Sequence, residues 1–103
     1  MDVDVLIAKI ALNDNGILYV KPINYSFPMI YRSAMGVHWD ENKCCLFHNP
    51  PREWSVLRWY KQIVLAAKDE YGVTLKVCAD TIYENIDAVM QKSIENGEFI
   101  TAV

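Results

Sequence analysis

The sequence predicts an α+β domain: a mainly antiparallel sheet built from two hairpins, with two helices packed on one face. Two observations predict this class. Short apolar runs separated by turn-forming residues fill the first half of the chain, and two longer stretches with helical spacing of apolar residues follow. The chain has 103 residues, 52% of them apolar, which is enough material for one core. We therefore expect residues 1–103 to form a single domain.

The first hairpin is predicted over residues 3–23. Val3–Leu12 is rich in Val, Ile and Leu, which favour strands. The sequence Asn-Asp-Asn-Gly at 13–16 follows, and these residue types tolerate the positive φ of tight turns. Ile17–Ile23 is predicted as the returning strand. Pro22 lacks a backbone N–H, so it marks an edge position or the end of that strand.

A second hairpin is predicted from Val37–Asp40 and Cys44–His48 around a turn at 41–43. If the loop has three residues, the apolar side chains of the first strand share a sheet face with the odd-numbered residues of the second strand. If the loop has an even number of residues, they share a face with the even-numbered residues. The residues concerned are Val37 and Trp39, then Cys45 and Phe47 at odd positions, and Cys44, Leu46 and His48 at even positions. The sequence leaves both registers open. Residues 29–35 fit either a helical turn or the start of a strand.

A long first helix is predicted from the Asn-Pro-Pro at 49–51 to about Tyr71. Asn49 can cap the helix, prolines suit its first turn, and Gly72 ends it. The apolar positions form a stripe wider than one buried face requires. They are Trp54, Val56, Leu57, Trp59, Tyr60, Ile63, Val64, Leu65, Ala66, Ala67 and Tyr71. Part of this stripe is therefore expected to meet a second layer or a partner.

The last third of the chain predicts a strand at Val73–Cys78 and a second helix. A right-handed crossover through the first helix is one way to place that strand parallel to its neighbour. Thr81-x-x-Glu84 fits a capping box, with Asp80 as the other candidate cap. Apolar residues then recur at helical spacing, at Ile82, Ile86, Val89, Met90 and Ile94. Gly97 is expected to end this helix, and 98–103 to add a short strand.

Composition excludes several classes of partner. The net charge is −3 and the ten Lys and Arg residues are spread along the chain, so a nucleic-acid partner is not expected. No apolar run approaches the ~20 residues of a membrane span, so no membrane association is expected.

The start, Met1–Asp4, carries two acids instead of the positive region of a secretory signal. With three cysteines, an odd number, these features predict a cytoplasmic protein with reduced thiols.

No motif in the sequence indicates a particular catalytic or binding chemistry. His38, Asp40, Cys44 and His48 are candidates for one face of the second hairpin, but no CxxC or HxxxH spacing supports a metal site. Cys44 or Cys45 with His38 is the one thiol–base pair that adjacency suggests, and no nucleophile signature surrounds it. We predict no catalytic residue, no metal site and no cofactor.

Aromatic residues and arginines supply the binding candidates. The segment 52–60 combines Trp, Tyr and Arg, the residue types enriched at interface hot spots. The loop after the first hairpin adds a second aromatic group, and a pocket between loop and helix is the default ligand site. The candidates are Trp54, Arg58, Trp59, Tyr25, Phe27, Tyr31, Arg32 and Trp39. The alternative is that both helix tryptophans pack on the sheet.

Three segments and the Trp-bearing helix that follows them carry a resemblance, the segments being Leu18–Pro22, Ile30–Asp40 and Leu46–His48. In these parts the chain resembles small accessory proteins of bacterial mobile elements. These are integron-cassette proteins and immunity-type proteins, and the resemblance covers the first two-thirds of the chain. It implies an α+β fold and a role in binding a partner, and it assigns no site residue. We therefore expect a bacterial, non-enzymatic interaction protein that binds a protein partner or forms a homodimer. A small-ligand-binding domain with an aromatic pocket is the alternative, followed by a thiol-dependent enzyme.

Overall fold

The structure is a computed structural model that describes residues 3–32, 36–48 and 56–96. Its elements confirm the α+β class. They are β1 (Val3–Leu12), β2 (Leu18–Pro22), a 3-10 turn (Ile30–Arg32), β3 (Val37–Asp40), β4 (Cys45–His48), α1 (Val56–Tyr71), β5 (Val73–Lys76), β6 (Ile82–Glu84) and α2 (Ala88–Asn96). The predicted helix start at 49–55, the end of the second helix at Gly97 and the last strand at 98–103 lie outside the described residues.

The strands form one six-stranded sheet in the order β3-β4-β2-β1-β5, and β6 also pairs with β1. β1–β2, β2–β4 and β3–β4 are antiparallel, whereas β5 and β6 both run parallel to β1. The predicted antiparallel pairing is therefore present only in part, because three pairings are antiparallel and two are parallel, and the sheet is mixed. Both parallel strands pair with β1. It extends over ten residues, so β5 pairs with its first part and leaves its last part for β6.

Two turns connect the antiparallel neighbours. In the first, the Asn13 side-chain oxygen accepts hydrogen bonds from the N–H groups of Asn15 and Ile17, both at 2.9 Å. Gly16 adopts a φ of 78°, the left-handed conformation predicted for this turn. In the second turn, which spans residues 41–44, Asp40 Oδ1 accepts hydrogen bonds from the backbone N–H groups of Asn42 and Lys43, each at 3.0 Å.

The pairing of β3 with β4 decides the register that the sequence left open. Val37 pairs with His48 and Trp39 with Leu46, so the even alternative is present. Val37, Leu46 and His48 point into the core and are fully buried. Cys45 takes the other face of the sheet, opposite Asp40.

The core lies between the sheet and α1. Five residues of α1 are buried against it, namely Trp59, Tyr60, Ile63, Ala66 and Ala67. Further members of the predicted stripe, such as Val64, pack partly buried against the same cluster, whereas Leu65 stays 47% exposed. The helix ends at Gly72 as predicted, with a φ of 64° and its N–H bonded to the Lys68 carbonyl at 2.9 Å. Most described residues of the wide apolar stripe therefore pack in the core or against it.

The second helix begins later than predicted. Residues 82–84 form β6, and α2 starts at Ala88, where the Asp87 side chain accepts the Met90 N–H at 2.7 Å. The capping box at Thr81 is wrong. The Thr81 hydroxyl instead donates to the Ile7 carbonyl at 2.6 Å and accepts the Cys78 N–H at 2.9 Å. Residues 82–84 form a strand in spite of their helical periodicity, because β1 offers them parallel pairing at Lys9–Ala11.

Candidate functional site

The face of the sheet opposite α1, here called the open face, keeps most of its side chains partly or fully exposed, whereas Cys45 is buried. One row of paired residues crosses five strands of this face in register. It runs His38, Phe47, Tyr19, Ala11, Glu84. His38 contacts Phe47 with ring centroids 5.5 Å apart, and Phe47 stacks on Tyr19 at 5.7 Å. The row is therefore aromatic on one side, falls to a single methyl group at Ala11, and ends in a carboxylate.

A polar row lies beside the aromatic one. Lys9 pairs with Lys21 across β1 and β2, and on its other side with Ile82 of β6. Cys45 lies close enough to Lys21 for the ammonium group to act on the thiol. Burial raises the pKa of the Cys45 thiol above its usual value, and the Lys21 charge opposes part of that rise.

A cleft of about 590 Å³ opens on this face and is lined by members of both rows, namely Ala11, Tyr19, Glu84, Lys9 and Lys21. Ala11 creates its recess, because Tyr19 and Glu84 stand on either side of a residue with almost no side chain. The first turn closes one end with Asn13 and Asp14.

Two further segments form the walls of the cleft. Asn42 and Lys43 come from the turn between β3 and β4, which the Asp40 side chain holds in place. Asn85 follows β6 with a φ of 58°, and its side-chain amide donates to the Leu12 carbonyl at 3.1 Å. Hydrogen bonds between side chains and the backbone therefore hold both walls in place, although the wall residues are exposed.

The charges of the cleft are only partly compensated. Lys9 forms an ion pair with Glu84 at 3.0 Å. The Lys43 ammonium lies 4.7 Å from the centre of the Tyr19 ring, a cation–π contact. Among the described residues, Lys21 and Lys43 form no ion pair with a carboxylate. The cleft consequently presents two available ammonium groups beside an aromatic ring.

The aromatic candidates of the sequence form a different cluster, on the core side. Phe27 is fully buried and lies at its centre. Its ring centroid is 4.8 Å from that of Tyr25, 5.8 Å from that of Trp39 and 5.0 Å from that of Tyr71. The structure therefore brings three predicted residues together and adds Tyr71, but they pack on one another instead of lining the cleft.

The remaining candidates are dispersed. Trp59 is 3% exposed and stacks on His48 with ring centroids 4.2 Å apart. Arg58, Tyr31 and Arg32 are exposed, and Arg32 lies 3.8 Å from a carboxylate oxygen of Glu70. Trp54 lies outside the described residues.

Sequence reasoning missed the cleft because it followed apolar residues. The signal was the period of two within the strands, which puts Lys9 and Ala11 on the face opposite the buried Ile10, and Tyr19 and Lys21 on the face opposite Val20. Each strand alone reads as an ordinary solvated face. Their juxtaposition with Lys43 depends on the strand order.

No three His, Cys, Asp or Glu side chains of 3–32, 36–48 and 56–96 lie close enough together to hold a metal ion. Within the same residues, neither helix has the length and hydropathy needed to cross a membrane.

Comparison with known proteins places the chain among integron cassette proteins. Residues 5–81 match the sequence model of the family described as Integron Cassette Protein Hfx_Cass5, and the chain belongs to this family. The solved structure of integron cassette protein Hfx_Cass5, from the mobile metagenome of the North West Arm sewage outfall, is 34% identical in sequence. The match covers 89% of this chain and 92% of that chain, with a TM-score of 0.45. No curated protein matches the chain. The resemblance to integron-cassette proteins is thus confirmed.

Proposed function

We propose that this chain is a non-enzymatic binding protein whose site for a small ligand is the cleft on the open face. The observation that carries the proposal is the recess at Ala11, floored by two strands and closed by two anchored turns. Its volume of about 590 Å³ falls within the range of ligand pockets. The polar groups around it converge on one space, as in sites that orient a ligand.

The chemistry of the cleft supports binding over catalysis. A thiol nucleophile needs a lowered pKa and a base within hydrogen-bonding distance. Cys45 has the opposite tendency, because burial raises its pKa. Its Sγ–H donates to the Lys43 carbonyl at 3.2 Å, an acceptor that cannot take up a proton. We therefore assign Cys45 to the floor of the site.

A cleft-filling variant tests this proposal. A thermal-shift screen of a metabolite library is run on the wild type, on Ala11→Leu and on Ala79→Leu, which makes the same change at an exposed turn residue outside the cleft. A ligand at one hundred times its Kd adds about 2.7 kcal/mol of stability, which is a shift of roughly 10 °C or more in Tm for a domain of this size.

We expect hits to raise the Tm of the wild type and of Ala79→Leu, and to lose their effect on Ala11→Leu. Hits that stabilise Ala11→Leu as strongly as the wild type would locate the site elsewhere. A flat response of the wild type across a broad library would remove the small-ligand proposal.

A protein partner is the second proposal, and one surface observation favours it. Met29 and Tyr31 expose 41% and 55% of their surface beside the end of α1, where the Tyr71 hydroxyl accepts the Met29 N–H at 2.9 Å. Sedimentation of the wild type and of Tyr31→Ala tests whether this patch joins two copies of the chain. A monomeric wild type at all concentrations rejects the homodimer.

A further inference from the structure

We infer that the cleft recognises a small organic anion, with a carboxylate or phosphate group held by Lys21 and Lys43 and a flat apolar part seated over Ala11. The inference rests on the proposed function and adds the chemical class of the ligand. Four steps support it: the charge balance, the anchoring of the lysines, the shape of the recess and the size of the charged patch.

The charge balance of the lining favours one negative group. Three lysines and two acids line the cleft, and one lysine–acid pair is closed by the 3.0 Å contact between Lys9 and Glu84. Asp14 is the remaining acid and lies in the exposed first turn. Within the described part of the chain, Lys21 and Lys43 are the lining lysines that form no ion pair with a carboxylate. A cationic ligand would meet two like charges there, so the ligand class is anionic.

The backbone at both lysines is held in place. Lys21 lies within β2 and pairs with Lys9 of β1. At Lys43, the backbone N–H donates to Asp40 Oδ1 at 3.0 Å and the carbonyl accepts from Cys45 Sγ at 3.2 Å. The backbone of both lysines is therefore held in position, and their flexible side chains can close on an anion.

The recess has the shape of a slot. Tyr19 and Glu84 stand two strand spacings apart, about 9–10 Å, and the residue between them is Ala11. The half-buried Tyr19 ring forms one wall, and Lys43 contacts this ring at 4.7 Å. A planar ring fits such a slot, because its faces contact the Tyr19 side and its edge rests on the Ala11 methyl group.

The size of the charged patch restricts the ligand to a small molecule. Binding a nucleic-acid backbone requires several cations in a row, and two lysines in one cleft do not extend into such a track. The net charge of −3 also disfavours a polyanion. A single carboxylate or phosphate matches the local surplus.

Matched pairs of probes test the inference by NMR titration of the isotope-labelled full-length chain. Benzoate is compared with benzamide, and adenosine monophosphate with adenosine, while the backbone amide signals of Ala11, Asn42 and Asn85 are followed. The two anions distinguish a carboxylate from a phosphate. We expect the charged member of at least one pair to bind about tenfold more tightly than its neutral partner.

Variants localise the effect. Lys21→Ala and Lys43→Ala are each expected to weaken the anion about tenfold and to leave the neutral probe unchanged. Lys76→Ala is the control, since Lys76 lies in the same sheet outside the cleft. Raising the ionic strength from about 0.01 M to about 0.15 M should weaken the anion alone.

The outcomes separate the two proposals. Equal binding of the charged and neutral members at these three signals overturns the anion preference and leaves the ligand cleft standing. Shifts confined to residues outside the cleft, or no shift with either anion, overturn this inference, whereas the Ala11→Leu screen still decides the proposed function independently.

Discussion

Replacing Thr81 by Val is expected to lower the free energy of unfolding by about 2–3 kcal/mol. The 8%-exposed Thr81 joins two distant parts of the chain through its hydroxyl group. That hydroxyl donates to the Ile7 carbonyl at 2.6 Å and accepts the Cys78 N–H at 2.9 Å. Valine has nearly the same shape, so the substitution removes the hydrogen bonds without opening a cavity.

The magnitude follows from what the substitution leaves behind. β1 pairs with β5 through Val3–Leu6 and with β6 from Lys9 onward, so Ile7 falls between its two parallel partners. Its carbonyl is buried, and leaving such a group without a donor costs about 1–3 kcal/mol. The half-buried Cys78 N–H adds about 0–1 kcal/mol, because water replaces part of the lost bond. For a domain with a total stability of about 5–15 kcal/mol this is a large fraction.

Urea denaturation measures the effect, with a midpoint shift of about 1–2 M for a domain of this size. Thr74→Val is the control. Its hydroxyl accepts a hydrogen bond from the exposed Lys68 ammonium at 3.4 Å, a weak surface contact, so a change within about 0.5 kcal/mol is expected. Thr81→Ser keeps the hydroxyl and should recover most of the stability. A stability of Thr81→Val equal to that of Thr74→Val would refute the reasoning.

Three further predictions concern single residues. His48→Phe is expected to cost about 1–3 kcal/mol in urea denaturation, because the Leu18 N–H loses the Nε2 acceptor at 2.9 Å; an unchanged midpoint would contradict this. Gly72→Ala should cost about 1–2 kcal/mol through backbone strain alone, since its φ is +64° and a Cβ there meets no atom within 4 Å. Gly72→Asn should cost less, and equal losses in thermal unfolding would argue against φ as the cause. Iodoacetamide is expected to label the exposed Cys44 first. It should label Cys45 only slowly below the ordinary thiol pKa of 9.0, because burial raises the pKa of Cys45 and keeps this thiol protonated. Rapid labelling of Cys45 in the Cys44→Ser variant at about pH 7, detected by mass spectrometry, would contradict this.

The candidate site shows how far sequence reasoning reaches. Tyr25, Phe27 and Trp39 were predicted as binding candidates, and their large apolar area instead packs them together at the core with Tyr71. The cleft was not predictable, because Lys21 and Lys43 belong to strand and turn segments that look like solvated surface when taken one at a time. Only the order of the strands brings them to one recess.

Local chemistry by itself determined the features whose hydrogen bonds close within a few residues. The Asn13 side chain and Gly16 form the first turn wherever the rest of the chain lies, and Gly72 ends α1 because it accepts a positive φ. The wealth of apolar residues likewise determined that a core would form.

Tertiary structure decided the features that depend on a distant partner. Residues 82–84 carry helical periodicity, but they became β6 because β1 offered unpaired backbone at Lys9–Ala11, more than seventy residues earlier in the chain. The register of β3 against β4 is accompanied by the hydrogen bonds that the Asp40 side chain accepts from the turn between the two strands. Backbone groups must find partners when they leave water, and which partners are free is known only once the sheet has formed.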